Sequence, residues 1–333
     1  MERFMIVKQL GAGGNSSAYL AIDKESGKKV TIKKAIKEGA SKDIHRLKAL
    51  ETEGQILSQL KHRAIPQVFY RGRDMLALEY IPGESLEKVI MAKGTFSEKE
   101  AVRIALEIVG ILRYLHGKRE VVIYRDLKPA NIVLRPDGHM ALIDFGAARI
   151  YSKGCKGDTT NLGTLGFAAP EQFGNLGQTD PRTDIYCFGM TLLQMISGVD
   201  PKDGDAVSIY KQNGVKGVSR ELISIIDKCT RPDREDRFLS VKEVEEALKT
   251  YPELIKKRKL ISRVKTSLAA AGMAAVIALC VTCGALYADK IKAYAASNME
   301  VRLPAVNERL YTVRQRIEEF VLSVEDKIEE SIR

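Results

Sequence analysis

Tyr124-Arg125-Asp126-Leu127-Lys128-Pro129-Ala130-Asn131 places one carboxylate, one ammonium and one amide within eight residues. Asp126 is placed to take a proton from an attacking hydroxyl. Asn131, five positions on, offers an oxygen to Mg²⁺. Lys128 offers a positive charge to a phosphoryl group in transfer. A polar surface loop would not need these three chemistries at this spacing.

Downstream, the apolar run Ala141-Leu142-Ile143 ends in Asp144-Phe145-Gly146. A buried strand that stops at a carboxylate suits a metal ligand, although a strand-end Asp can also simply start a turn. Gly163-Thr164 and Ala169-Pro170-Glu171 follow, and by themselves they read only as a loop entering a helix. Upstream lies Gly11-Ala12-Gly13-Gly14-Asn15-Ser16, on a hairpin between two strands. Glycines there let backbone N–H groups approach phosphates, though a tight turn alone would also use them. Val30-Thr31-Ile32-Lys33 ends a third strand, and Glu53 sits on the inward face of the next helix. An ion pair between Lys33 and Glu53 would hold the ammonium against phosphates.

Around these motifs, alternating and turn-rich residues from about 4 to 36 predict three strands. Ile44, Leu47, Leu50, Ile56, Leu57 and Leu60 recur at helical spacing and predict a helix over 41–61. Strands are predicted at Val68–Arg71 and Met75–Tyr80, before the breaker Pro82-Gly83. The rest is mostly helical. A helix over Phe96–Leu115 carries the capping-box pair Ser97 and Glu100. Short strands at Ile132–Leu134 and Ala141–Ile143 flank the turn Pro136-Asp137-Gly138. Later helices fit Asp184–Ser197, Ser219–Cys229 and Ser240–Thr250. The expected class is α+β, with a small strand-rich lobe followed by a larger helical lobe.

In this order and spacing the motifs resemble the protein-kinase signature set over residues 4 to 250. Lys128 in Asp-Leu-Lys-Pro-x-Asn resembles the serine/threonine subclass, and the whole chain resembles bacterial receptor-like serine/threonine kinases. The resemblance implies the bilobal kinase fold, with ATP and Mg²⁺ (or Mn²⁺) as cofactors and Ser/Thr-bearing proteins as substrates. It implies that Leu10, Gly11, Ala12, Gly13, Gly14 and Ala18 cover the nucleotide and that Lys33 pairs with Glu53. Leu78 matches the gatekeeper, and Glu79 to Ile81 the hinge at the adenine. Asp126 matches the catalytic base, and Asn131 and Asp144 the metal ligands. Thr164 matches the brace of Asp126 and Lys128, Glu171 the partner of a buried Arg, here Arg237, and Asp184 the tether of the catalytic loop. Arg125 matches a residue that docks an activation-segment phosphate, with Thr159 and Thr160 as candidate phosphosites and Ser152 behind them. Four positions depart from the pattern. Ser16 replaces a loop glycine, Ala18 a valine and Thr31 an alanine, each touching the nucleotide site, and Tyr124 replaces a histidine. Two other classes share the fold: a pseudokinase scaffold and a small-molecule phosphotransferase. The intact Lys33, Glu53, Asp126, Asn131 and Asp144 speak against the first. The segment from Gly163 to Glu171, a peptide platform in protein kinases, speaks against the second.

The 333 residues carry a net charge of +10. Six of the cations fall between Lys256 and Lys265 with no acid among them, directly before the uncharged residues 266–288. That distribution favours a membrane over nucleic acid as partner. About 20 apolar residues suffice to span a bilayer, and the cation cluster places residues 1–265 in the cytoplasm with the C-terminus outside. The expected organisation is an N-lobe over 1–80, a C-lobe over 81–252, a basic linker over 253–265, a span over 266–288 and a helical tail over 289–333. In the tail, Val306, Leu310, Val313, Ile317, Phe320, Val324 and Ile328 form a short heptad-like seam. It fits a homodimer, or equally a helix lying on the outer surface or on another protein. Ala270, Ala274 and Ala278 form a small-residue row within the span. Five scattered cysteines exclude a disulfide framework, and Cys280-x-x-Cys283 reads as small residues of an apolar helix.

Overall fold

A computed structural model describes residues 3–12, 16–36, 40–151, 163–173 and 178–297, with 311, 312, 314–316 and 319 of the tail. The chain divides into two units, Met1–Arg258 and Lys259–Arg333.

The first unit begins with a five-stranded antiparallel sheet. Its strands are β1 (Phe4–Ala12), β2 (Ser16–Asp23), β3 (Lys29–Ala35), β4 (Val68–Arg71) and β5 (Met75–Glu79), in the order β1-β2-β3-β5-β4. Alternation along β3 does two jobs. Val30 and Ile32 are buried in a small cluster with Phe4, Ala21 and Ala77. Thr31 and Lys33, on the opposite face of the pleat, turn toward the cleft below the sheet. The β2–β3 turn is held by Asp23, which receives Arg3 Nε and Nη2 at 2.9 Å each and Ser26 Oγ at 2.8 Å. Gly27 closes that turn at φ 69°, a conformation that favours glycine.

Helix α1 (Ala40–Ser58) packs beneath the sheet through Leu50, Ile56 and Leu57. It ends before the expected residue 61. Gln59 and Leu60 donate to Ile56 and Leu57, tightening the last turn. Ile44 was expected on the buried stripe, yet it is 66% exposed, whereas Leu47, one turn on, packs against the core.

The helical lobe contains β6 (Glu84–Ser85), α2 (Leu86–Lys93), α3 (Glu98–His116), β7 (Val122–Ile123), β8 (Ile132–Leu134), β9 (Met140–Leu142), β10 (Arg149–Ile150), α4 (Pro181–Ser197), α5 (Gly204–Asn213) and α6 (Arg220–Cys229). The capping box forms as expected: Ser97 N donates to Glu100 at 3.0 Å, and Glu100 N to Ser97 Oγ at 3.3 Å. Helix α4 is the buried centre of the lobe. It starts at Pro181, three residues before the expected Asp184, because Asp180 caps it by accepting Arg182 N at 2.8 Å. Gly189 lets α4 approach α6, since a Cβ there would stand 2.7 Å from Cys229. The β8–β9 hairpin turns at Gly138 as expected, but β9 is shifted one residue back from Ala141–Ile143.

The final helix, α7 (Val241–Ser297), continues past the expected Thr250 and through Pro252. Within the first unit Val244, Leu248 and Tyr251 are buried, and Arg258 pairs with Glu221 at 3.2 Å. The second unit continues as helix to Ser297. By length and composition α7 is the one helix among the described residues able to cross a membrane, with an 18-residue window of mean hydropathy 2.1 that the protein leaves uncovered. The seam residues of the tail lie outside the described residues.

Candidate active site

The cleft lies under the sheet, where β3, α1 and the loops around β7 to β9 meet. Its wider part, about 700 Å³, has apolar walls that include Leu10, Ala18, Leu78, Val133 and Ile143, with Thr31 among them. Glu79 and Ile81 also line it. An adjoining polar recess of about 360 Å³ is lined by Lys33, Glu53, Asp126, Lys128, Asp144 and Thr164. Gly11 and Ala12 border the cleft, whereas Gly13 and Gly14 lie outside the described residues.

Strand β3 brings Lys33 into the recess, and α1 brings Glu53 to meet it. Lys33 Nζ lies 2.7 Å from both carboxylate oxygens of Glu53 and 2.6 Å from Asp144 Oδ1. Burial pushes the Lys33 pKa down, but the two carboxylates outweigh it and leave the ammonium above its ordinary value. Burial pushes the Asp144 carboxyl up, and the Lys33 charge more than offsets it, so Asp144 falls below the usual carboxylate range. Lys33 and Asp144 are thus both ionised at neutral pH.

The loop that carries Asp126 is fixed through its backbone N–H groups. Asp184, at the start of α4, accepts Tyr124 N at 2.9 Å and Arg125 N at 2.7 Å. His116 Nε2 lies 2.8 Å from the same carboxylate. Arg125 takes φ 67° and Asp144 φ 63°, the two non-glycine residues with positive φ among those described. Such strain persists where surrounding contacts over-determine it, and it clusters at functional sites. Tyr124, wholly buried, donates its hydroxyl to the Ile143 carbonyl and stands edge-on to Phe145 at 5.0 Å. One residue before Asp144, the chain is therefore pinned to the loop that carries Asp126.

Asp126 sits within a cage of donors. Thr164 Oγ1 donates to its Oδ1 at 2.7 Å, and Lys128 Nζ lies 2.9 Å from Oδ2 and 2.5 Å from Thr164 Oγ1. Asn131 Nδ2 donates to the Asp126 carbonyl at 2.9 Å and to Oδ2 at 2.8 Å. With its nitrogen committed, the Asn131 amide presents its oxygen as the donor atom for a cation. Asp144 uses Oδ1 for Lys33 and for Gly146 N at 3.1 Å, which leaves Oδ2 for a ligand. Two hard oxygen donors beside a recess of phosphate size fit Mg²⁺, which takes few protein ligands and completes its shell with phosphate and water.

The outer residues also meet their expected partners. Glu171 receives Arg237 Nη1 at 2.7 Å and Nη2 at 2.9 Å, both side chains buried. Burial, and next the nearby Arg149, lowers the Arg125 pKa to about 10. Thr159, Thr160 and Ser152 lie outside the described residues. Sequence reasoning missed Gln172, whose amide accepts Ala169 N at 3.0 Å and donates to the Arg125 carbonyl at 2.8 Å, joining the 169–172 turn to the catalytic loop. It also missed His116 at the tether. The only signal for either is adjacency to a motif, Ala169-Pro170-Glu171 for one and the end of an amphipathic helix for the other.

Comparison with known proteins gives a family. The family described as protein kinase domain matches residues 4–250. Serine/threonine-protein kinase F of Synechocystis is 31% identical over 270 residues, covering 73% of this chain and 54% of that protein. Serine/threonine-protein kinase PrkC of Bacillus subtilis is 29% identical over 264 residues, covering 74% and 40%. Probable serine/threonine-protein kinase PknB of Bifidobacterium longum is 28% identical over 277 residues, covering 75% and 39%. The chain thus spans roughly half or less of each of these relatives. A nucleotide-sized cleft, paired Lys33 and Glu53, a caged Asp126 and a family match across both lobes lead to one assignment: the chain belongs to the protein kinase domain family.

Proposed function

We propose that the protein transfers the γ-phosphoryl group of ATP to serine or threonine hydroxyls of protein substrates, from a membrane-anchored catalytic domain. The observation that carries this reading is the convergence of Lys33, Asp126, Lys128 and Asp144 on one recess, with Asn131 on the adjoining cleft and 2.8 Å from Asp126 Oδ2. In this reading the apolar part of the cleft takes the adenine, with Leu78, Glu79 and Ile81 at its back and Leu10 to Ala12 over the phosphates. Lys33, oriented by Glu53, holds the α- and β-phosphates. A Mg²⁺ ion held by Asn131 and Asp144 would neutralise phosphate charge. Asp126 has each oxygen fixed by a donor, so one face of its carboxylate is aimed at the incoming hydroxyl, whose proton it takes. Lys128 neutralises charge on the moving phosphoryl group.

The span over 266–288, the cytoplasmic placement of residues 1–265 and the outward C-terminus belong to the same proposal. They rest on the uncovered apolar stretch of α7 and on the cations before it. Arg125, with Arg149 nearby, supports docking of a phosphate on the activation segment at Thr159 or Thr160. The small-residue row and the tail seam support a homodimer.

The test is phosphate transfer from labelled ATP to a generic protein substrate by the full chain and by Asp126→Asn. The substitution keeps the shape of the cage and removes the base. Transfer should fall by roughly 10²- to 10⁴-fold. Near-equal rates would remove Asp126 from its assigned role, and label on a small acceptor but on no protein would favour a small-molecule phosphotransferase.

A further inference from the structure

The stretch of α7 from Lys259 to Lys265 has a pattern that neither catalysis nor the span itself requires. Leu260, Ile261 and Val264 are large, apolar and 46–63% exposed. At 3.6 residues per turn they share one face, within about 100° of one another. Lys259 and Arg263 fall on the opposite face, about 40° apart, and Lys265 borders the apolar one. Lys259, Arg263 and Lys265 have no acidic partner among the described residues, and no acid occurs between Glu253 and Asp289.

We propose that residues 259–265 form a docking surface for anionic phospholipid headgroups, one that selects the lipid around the membrane span. This rests on the reading of 266–288 as a span. Positive-inside placement needs only a bias of charge. Here exposed aliphatic side chains are interleaved with the cations and run without a break into the uncovered apolar stretch. Long Lys and Arg side chains lay their stems along apolar surface and keep their charged ends at phosphate level. Apolar side chains at the acyl boundary and cations among the headgroups are the two elements of interfacial binding to acidic lipid. Nucleic acid would use the charge but leave Leu260, Ile261 and Val264 in water.

The experiment reconstitutes the full chain in vesicles of phosphatidylglycerol and phosphatidylcholine in equal amounts. It compares wild type with a variant in which Lys259, Arg263 and Lys265 are all replaced by Gln. The protein is extracted with a polymer that keeps its surrounding lipid, and the two lipids are counted. The wild type should hold phosphatidylglycerol in roughly tenfold excess, and the variant should hold both lipids about equally. Resistance of both proteins to alkaline carbonate reports on the span separately. Release by carbonate would sink the span, while an even lipid ratio around an inserted wild type would sink the headgroup surface alone. Retained preference in the three-Gln protein would also overturn the proposal. So would loss of the preference on adding inorganic phosphate, which assigns the cations to free anion. Displacement of phosphatidylglycerol by single-stranded DNA would assign them to nucleic acid.

Discussion

Lys33 Nζ stands 2.7 Å from each carboxylate oxygen of Glu53, and Glu53 Oε1 also accepts the backbone N–H of Phe145 at 3.0 Å. One glutamate therefore joins β3, α1 and the segment carrying Asp144. Replacing Lys33 with Met leaves a buried carboxylate without its countercharge, a loss of about 3–5 kcal/mol. Lys33→Met should abolish phosphotransfer and melt lower than the wild type. Glu53→Gln removes the charge but keeps the shape, so it should impair transfer strongly with a smaller fall in melting temperature. A Lys33→Met protein as stable as the wild type would separate the pair from the integrity of the cleft.

Thr164 bridges Asp126 at 2.7 Å and Lys128 at 2.5 Å. Its methyl group enters neither contact. Thr164→Ala should lower kcat by roughly 10- to 100-fold, because two charged groups lose a shared anchor worth about 1–3 kcal/mol. Thr164→Ser should restore most of the rate. Equal rates for the Ala and Ser variants would show that the hydroxyl bridge is dispensable.

Tyr124 links the two loops that carry Asp126 and Asp144. Tyr124→Phe keeps the edge contact with Phe145 but leaves the Ile143 carbonyl without its phenol donor, at a cost of about 1–3 kcal/mol. The variant should fold, melt lower and need more Mg²⁺ for half-maximal rate, since Asp144 follows Ile143 directly. Unchanged Mg²⁺ dependence would restrict Tyr124 to packing.

These contacts also mark what the sequence does and does not disclose. Asp126, Lys128 and Asn131 are legible because three different chemistries within six positions must serve one reaction, so spacing alone exposes them. Glu53 is legible because helical period aligns it with Leu50, Ile56 and Leu57 on the buried side. Strands β6, β7 and β10 have two residues each, too short to show a period, and α2 is barely two turns. Nothing local announces a contact such as Ser219 N to Glu98 at 2.7 Å, which closes 121 residues of chain. Asp180 escaped because the capping Asp and Pro181 lie outside the apolar run that marks the body of α4. Ile44 misled because helical spacing reports a stripe and not how much of it the sheet covers.

Asp23 gives a pH signature away from the cleft. The Arg3 hydrogen bonds, aided by Ser26 and the Glu25 N–H, hold its carboxyl down to about 2 against an ordinary 3.8. A depressed acid stabilises the fold fully above its unfolded value and loses that contribution as pH falls through its folded value. The melting difference between wild type and Asp23→Asn should therefore be constant above pH 3.8 and shrink toward pH 2. A difference that widened on acidification would reverse the assigned sign.

The family match stops at residue 250, whereas the packing of α7 against the helical lobe does not. Tyr251 is 6% exposed, and burial together with the Glu98 carboxylate pushes its phenol up to about 12. Ile255 packs on the same core, and Arg258 reaches Glu221. A catalytic fragment ending after Thr250 gives up all three, and loss of a buried aromatic alone costs about 3–5 kcal/mol. A fragment ending after Arg258 should melt well above one ending after Thr250, and Tyr251→Ala in the longer fragment should recover most of that gap. Because neither change touches the cleft, transfer rates per folded molecule should match at low temperature. If the two fragments melt together, the helix beyond Thr250 is a connector, and the catalytic unit ends where its motifs do.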